Sequence, residues 1–225
     1  MNSYQLHCYN AKGLEIGGPS QDLFVHGIYD VIGSLDGVNF GSNVWQGDLS
    51  NGQSQFKFLP NRTGYLYLCE GSHLTPILSD SYTMVLSCHN LEHIANPIKA
   101  LKEWVRVLKP GGKLFLVLPK KENTFDYKRP TTTLDHLISD YNNDVGEDDL
   151  THLEEILKLH DLSKDPEAGN FVSFVKRSLV NVDNRCLHHH VFDRDLIVAM
   201  FEYLDIHLLL FKEEEAFYVV GQVRK

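Results

Sequence analysis

Chemically useful residues follow each of four short apolar runs in the N-terminal half of the sequence. The first run leads into Glu15, Gly17 and Gly18, and because glycine carries no Cβ, a ligand can approach the backbone there. The second run ends at Asp36, whose carboxylate is suited to both hydroxyls of a ribose. The remaining two lead to Glu70-Gly71-Ser72, which can bind an adenine edge, and to His89. Ligands of an open α/β sheet bind beyond the carboxyl ends of its strands, so we expect one shared crevice.

The elements that must position these residues are short buried strands. Apolar runs bounded by turn residues predict strands at 13–16, at a less distinct run ending at 36, and at 65–69, 82–88 and 113–118. A helix separates the last two, because Asn96 can cap a helix that Pro97 begins and that the Lys-Pro-Gly-Gly segment at 109–112 ends. This strand–helix–strand alternation predicts a parallel sheet.

The C-terminal segment has a different pattern. Asp193 can cap a helix that runs to Tyr203, and two strand-like runs follow at 206–211 and 216–223. The link between these two runs is too short for a crossover connection, so they predict an antiparallel hairpin.

Residues 120–190 lack the strand pattern and instead predict helical segments at 131–142, 147–160 and 169–181. We expect them to form a helical insertion between the fifth strand and the last helix. It would cover the carboxyl edge of the sheet, on the side of the acceptor, within a single domain that spans residues 1–225.

The composition restricts the classes of partner. The 225 residues carry a formal net charge of −9, which repels phosphate backbones and anionic lipid and disfavours nucleic acid or a membrane as the main partner. The four cysteines are scattered, and we find neither a signal peptide nor an apolar run long enough to span a bilayer. We therefore expect a cytoplasmic protein with reduced thiols, and its oligomeric state stays open.

Three motifs together resemble those of the class I S-adenosylmethionine-dependent methyltransferases of small-molecule type. They are Leu14-Glu15-Ile16-Gly17-Gly18, Leu91-Glu92-His93-Ile94 and Arg106-Val107-Leu108-Lys109-Pro110-Gly111-Gly112. The resemblance covers about residues 12–119 and the C-terminal hairpin. It implies an α/β, Rossmann-like methyltransferase fold with a seven-stranded, mostly parallel sheet in the order 3-2-1-4-5-7-6, of which strand seven is antiparallel.

The resemblance also implies S-adenosylmethionine as the cofactor and a set of residues around it. From the methionine end to the adenine, these residues are Glu15, Gly17, Gly18, His89, Asp36, Glu70, Gly71 and Ser72. In this set Asp36 would bind the ribose hydroxyls, and His89 would lie beside the sulfonium. The sequence departs from the family pattern at Pro19 and Gln21, and only 18 residues separate Gly17 from Asp36, so the first helix must be short or irregular.

A sulfonium methyl group is already activated, so the protein must mainly align donor and acceptor and exclude water. A hydroxyl acceptor would benefit from a base, for which His93 is the first candidate and His89 the second. A structural role for His93 beside Glu92 stays open. Arg129 is a candidate for binding an anionic group of the acceptor, and a surface salt bridge is the alternative role for this residue. His189 is a candidate for lining the acceptor pocket.

The histidine-rich stretch raises the question of a metal. Three consecutive histidines at 188–190 point in different directions in any regular backbone, and residues 120–190 contain no H-x-x-x-H pair. We therefore expect no metal site, although His136, His152 and His160 leave open whether the insertion binds one.

The predicted function is methyl transfer to a small polar acceptor, with a sugar or glycan hydroxyl favoured. One alternative is a catalytically degenerate methyltransferase-like binding module, whose cofactor pocket its own side chains would fill. Another is a nicotinamide dehydrogenase, which the missing third glycine and the acidic Asp22 disfavour, since that cofactor carries phosphates. Trp45 is predicted either in a lid over the cofactor or in the core.

Overall fold

The computed structural model describes residues 1–41 and 55–225; Trp45 lies outside them. Its strands are β1 (Lys12–Ile16), β2 (Ser34–Asn39), β3 (Gln55–Leu59), β4 (Arg62–Leu68), β5 (Tyr82–Cys88), β6 (Leu108–Pro119), β7 (Ile206–Glu213) and β8 (Ala216–Val223). Its helices are α1 (Ser3–Cys8), α2 (Gln21–Val25), α3 (Ile28–Val31), α4 (Pro97–Val107), α5 (Leu134–Asn142), α6 (Leu153–Leu159), α7 (Phe171–Leu179), α8 (Asn181–Asn184) and α9 (Arg194–Tyr203). Short 3-10 turns occupy Leu91–His93, Lys121–Asn123, Leu162–Lys164 and Pro166–Ala168.

These strands form one sheet in the order β3-β4-β2-β1-β5-β6-β8-β7. The strands β4, β2, β1, β5 and β6 pair in parallel, whereas β8 runs antiparallel to both β6 and β7. The predicted order and the C-terminal hairpin are therefore confirmed. The predicted number of strands was one too low among the described residues, because β3 adds an antiparallel edge strand beside β4.

Strand β3 follows from a period-two pattern that the sequence analysis missed. Phe56 and Phe58 are buried while their neighbours Gln55 and Lys57 are exposed, as expected for a strand with one covered face. Phe56 packs against Gly37 of β2, where an added Cβ would lie 2.1 Å from the Phe56 ring. Glycine at 37 thus leaves the space that this aromatic side chain fills.

The first crossover is short, as expected, and it consists of two short helices. Gly27 separates α2 from α3 and adopts a left-handed conformation with φ of 68°, which glycine adopts without steric cost. Helix α4 is as predicted. The Asn96 side chain accepts a hydrogen bond from the Lys99 backbone N–H at 3.0 Å, and α4 buries Ile98, Leu101 and Trp104 against the sheet. Burying an aliphatic side chain of this size contributes about 1.5–3 kcal/mol.

Between β6 and α9 the chain is helical, and α5, α6 and α7 lie within the three predicted segments. Helix α6 begins later than predicted, because turns occupy the residues before Leu153. This region has a small core of its own, formed by Ile156, Ala168, Phe174 and Leu187. Among the described helices, none is long and apolar enough to cross a membrane.

Candidate functional site

A cavity of about 560 Å³ opens at the carboxyl ends of β1, β2, β4 and β5. Its volume lies within the range of about 300–1,000 Å³ that is usual for small-molecule sites. It is bordered by the loop after β1 (Gly17, Pro19, Ser20, Gln21 and Asp22), by Asn39 and Phe40, by Glu70 and Gly71, by His89, Asn90 and His93, and by Glu147 and Arg185. The described side chains leave this space open. A degenerate binding module of the kind considered above would instead have its pocket filled by its own side chains.

Gly17 borders the cavity and has a backbone conformation that favours glycine. Its φ of 78° is left-handed, and its backbone N–H donates to the Val38 carbonyl at 2.9 Å. An added Cβ would lie 2.4 Å from the Asn90 side-chain nitrogen. Gly18 has a different role from the predicted one. A Cβ added at Gly18 would lie 2.0 Å from the carboxyl carbon of Glu15, so glycine at this position leaves room for the Glu15 side chain.

Glu15 is fully buried and is not among the residues that border the cavity, which differs from its implied place at the methionine end. Its carboxyl group accepts hydrogen bonds from Ser20 Oγ at 2.6 Å and from the Tyr29 hydroxyl at 2.9 Å. Burial raises the pKa of Glu15 to about 7, even though the hydrogen bonds from Ser20 and Tyr29 oppose that rise. Glu15 therefore stabilises the loop after β1 through its buried hydrogen bond from Ser20.

Asp36 is the clearest correction. Strand β2 continues to Asn39, so Asp36 lies in the middle of the strand rather than at its end, and it does not border the cavity. Its carboxylate accepts hydrogen bonds from the Tyr82 hydroxyl and from the Tyr65 backbone N–H, both at 2.7 Å. Asn39, which the sequence analysis missed, occupies the strand end and donates to the Gly18 carbonyl at 3.3 Å.

On the side predicted for the adenine, Glu70 and Gly71 border the cavity and Ser72 does not. The Glu70 carboxylate pairs at 2.5 Å with Arg185, whose guanidinium also lies over the Phe40 ring at 4.5 Å from its centroid. Arg185 comes from the helical segment after α8 and closes this end of the cavity. No local signal in the sequence identified Arg185, because its partners are distant along the chain.

His89 borders the cavity within a network of carboxylates. Its Nε2 lies 3.2 Å from Asp22, and its Nδ1 lies 3.7 Å from Glu92. Burial alone would lower the pKa of His89, but the hydrogen bonds and negative charges of Asp22 and Glu92 prevail and raise it to about 10. The imidazole is therefore a cation at neutral pH, and a cation does not fit the predicted role of a base.

His93 also borders the cavity, from the 3-10 turn after β5. Its Nδ1 lies 3.1 Å from the Leu187 carbonyl, which can only accept, so Nδ1 carries the hydrogen and Nε2 the lone pair. Burial, followed by the neighbouring His188, lowers the pKa of His93 to about 4. The ring is therefore neutral at physiological pH, which fits a proton acceptor.

The two residues predicted to bind the acceptor lie elsewhere. Arg129 is only 2% exposed, and it pairs with Asp126 at 3.0 Å and Glu155 at 2.8 Å. Its guanidinium also donates to the backbone carbonyls of His188 and His189. The His189 ring is buried and accepts a hydrogen bond from Asn181 at 3.0 Å. Both side chains make their contacts within residues 120–190, and neither borders the cavity.

Comparison with known proteins agrees with this arrangement. Residues 33–116 match the family described as "Methyltransferase domain". No curated protein matches the sequence. The fold is shared with several solved structures of S-adenosylmethionine-dependent methyltransferases. One from Methanosarcina mazei is 16% identical, with a TM-score of 0.57 and coverage of 99% of this chain and 98% of that one.

Two further structures of the same type have similar values. The Aquifex aeolicus protein is 13% identical, with a TM-score of 0.53 over 98% of this chain and 86% of its own. The Mesorhizobium loti protein is 8% identical, with a TM-score of 0.55 over 96% of this chain and 92% of its own. At these identities the likeness establishes the fold, and the family match adds the domain type. The chain therefore has the fold of S-adenosylmethionine-dependent methyltransferases, and its residues 33–116 are similar to a methyltransferase domain.

Proposed function

We propose that this enzyme methylates a hydroxyl group on a small polar acceptor, with a sugar or glycan as the favoured class. The observation that carries the proposal is the open cavity, which has a neutral histidine, His93, on its border. Polar side chains around the same cavity, among them Gln21, Asn39 and Asn90, suit an acceptor rich in hydroxyl groups better than a lipid or a quinone.

The residues on this border fit S-adenosylmethionine. Gly17 and Gly71 present backbone without a Cβ, and at Gly71 an added Cβ would lie 3.0 Å from Ile16. Asn39 stands at the end of β2, where a ribose would be held, and Glu70 and Phe40 lie at the adenine end. The loop carries Asp22 and no phosphate-binding glycine pattern, which suits a cofactor with an ammonium group and no phosphate.

When bound, S-adenosylmethionine supplies an electrophilic methyl group, and the chain supplies alignment and proton transfer. The Leu187 carbonyl fixes the His93 ring with Nε2 as its basic nitrogen. We propose that the His93 ring would accept the proton of the acceptor hydroxyl while that oxygen takes the methyl group, whose bond to the cofactor sulfur would break. The His89 imidazolium, paired with Asp22, holds the loop against the turn after β5 and keeps its own proton.

The first test is binding of S-adenosylhomocysteine, measured by titration calorimetry. We expect an affinity in the micromolar range, and Asn39→Ala should weaken it several-fold more than Asp36→Ala, because only Asn39 borders the cavity. No heat of binding with the wild type would overturn the cofactor assignment, and equal losses in the two variants would refute the proposed place of Asn39. NAD serves as a matched ligand and should produce no heat.

The second test addresses the acceptor. The enzyme is incubated with methyl-labelled S-adenosylmethionine and panels of free sugars, glycosides, phenols, amines and carboxylic acids, and label transfer is followed by mass spectrometry. Transfer to sugar hydroxyls supports the proposal. Transfer confined to amines or carboxylates refutes the acceptor class while leaving the methyltransferase assignment intact.

A further inference from the structure

Three histidines and one aspartate meet in the helical segment, away from the cavity. His136 and Asp140 lie one helical turn apart on the same face of α5. His152 directly precedes α6, and His190 lies in the extended stretch before α9. None of the four residues borders the cavity described above. The topology therefore brings together three segments that are distant along the chain.

The distances within this cluster are those of metal ligands. His136 Nε2 lies 3.0 Å from His152 Nε2 and 3.2 Å from Asp140 Oδ2, and His190 Nε2 lies 3.8 Å from Asp140 Oδ2. All four residues offer a ligand atom within 4.8 Å of the others. A tetrahedral zinc site with bonds of about 2.0–2.1 Å separates its ligand atoms by about 3.3 Å.

One buried atom of the cluster, Asp140 Oδ2, lacks a hydrogen-bond partner among the described residues, because its contact with His136 is close but lacks hydrogen-bond geometry. A buried polar atom of this kind is normally satisfied, so its presence calls for a group that is not part of the chain. His190 Nε2 also lies 3.1 Å from the Ala95 carbonyl, a contact that metal binding would replace.

We propose that His136, Asp140, His152 and His190 bind one divalent transition-metal ion, most favourably zinc. Imidazole and carboxylate ligands suit zinc, and a closed set of four protein ligands is typical of a structural site rather than a catalytic one. Asp149 and Glu155 add negative charge near His152, and Arg129 adds positive charge. The ion would fasten α5 and the start of α6 to the 188–190 stretch. No metal site was predicted from the sequence because the ligand pair on α5 is histidine and aspartate, and a helical pair of two histidines is missing from residues 120–190.

The test uses the full-length chain without a histidine tag. Elemental analysis of the purified protein should give close to one zinc per chain. Treatment with a strong chelator should lower the thermal unfolding temperature by several degrees, and one equivalent of zinc should restore it. A chain that carries no zinc and shows no change with either reagent would overturn the proposal.

Two near-isosteric variants, Asp140→Asn and His152→Gln, should each weaken zinc binding at least about tenfold in competition with a chromophoric chelator. The exposed His73 provides a matched control, and His73→Gln should bind zinc like the wild type. Wild-type affinity in both ligand variants would refute the site.

Should the variants fail to fold, cobalt(II) added to the chelated wild type gives an independent reading. Intense visible absorption of tetrahedral cobalt supports the site, and the weak absorption of six-coordinate cobalt contradicts it. These readouts are independent of S-adenosylhomocysteine binding, so failure of the metal site leaves the proposed function standing.

Discussion

Glu15→Gln should make the protein more stable at alkaline pH and leave it almost unchanged in mild acid. The wild-type carboxyl group is fully buried, and its pKa is raised from 4.5 to about 7 in the folded chain. Below pH 4.5 the group is protonated in both the folded and unfolded states, so it brings no charge into the core. As pH rises from 4.5 to 7, the unfolded chain ionises first, and stability falls.

The magnitude follows from that difference. A shift of about 2.5 pKa units, at about 1.4 kcal/mol per unit, corresponds to about 3 kcal/mol of stability lost above pH 7. Glutamine has nearly the shape of protonated glutamate and cannot ionise. The difference in free energy of unfolding between Glu15→Gln and wild type should therefore grow from near zero at pH 4.5 to about 3 kcal/mol at pH 8.5.

Urea unfolding of both proteins at intervals between pH 4.5 and pH 8.5 measures this difference directly, because other titrating groups cancel between them. Ser20→Ala supplies a second check: the Ser20 hydroxyl donates to the ionised form, so its removal should move the midpoint of the pH dependence upward. A difference curve that stays flat with pH, or that falls toward alkaline pH, would refute the placement of an ionisable Glu15 in the core.

Three further outcomes follow from the same structure. The His89 ring should titrate near pH 10 by NMR, and Asp22→Asn should lower that pKa. The stability that the His89 cation contributes is complete below pH 6.5 and is lost as pH rises through 10. Titration of the wild-type ring near pH 6.5 would contradict this prediction. His93→Gln should lower kcat about 10²–10⁴-fold while S-adenosylhomocysteine affinity, by calorimetry, stays within about threefold; unchanged kcat would exclude His93 as the base. Arg129→Ala should destabilise the fold by about 3–5 kcal/mol in urea unfolding, since it removes a buried cation that pairs with Asp126 and Glu155 and leaves two carbonyls without their donor. The exposed Arg194→Ala should cost under about 1 kcal/mol, and equal effects of the two variants would contradict this account.

The elements that the sequence predicted correctly are those whose signals are local. Helix α4 carries its own cap at Asn96, and the four residues between the apolar runs at 206–211 and 216–223 leave room only for a hairpin. The strand order came from the family resemblance, and the sheet confirms it apart from β3. The short alternating pattern of β3 was overlooked because it has only two buried residues, Phe56 and Phe58.

The site residues were harder to predict because their roles depend on where strands end and on distant contacts. Strand β2 ends at Asn39 and not, as predicted, at Asp36. Asn39 therefore borders the cavity, and Asp36 instead accepts a hydrogen bond from Tyr82. Arg129 has the charge of an anion-binding residue, and only the folded chain shows that Asp126 and Glu155 already neutralise it. His89 and His93 are four positions apart, yet their pKa values move in opposite directions because two carboxylates face one ring and burial dominates the other.

The stretch from Arg185 to His190 links the helical segment to the cavity. Arg185 pairs with Glu70 at one end of the cavity, and the Leu187 carbonyl fixes the His93 ring. Three residues further on, His190 lies in the cluster with His136. The His189 backbone N–H also donates to the Glu92 carbonyl at 2.8 Å, so this stretch is bonded directly to the turn that carries His93. Loosening the cluster should therefore disturb the His93 ring before it disturbs the loop at Gly17, and kcat should fall before cofactor affinity does.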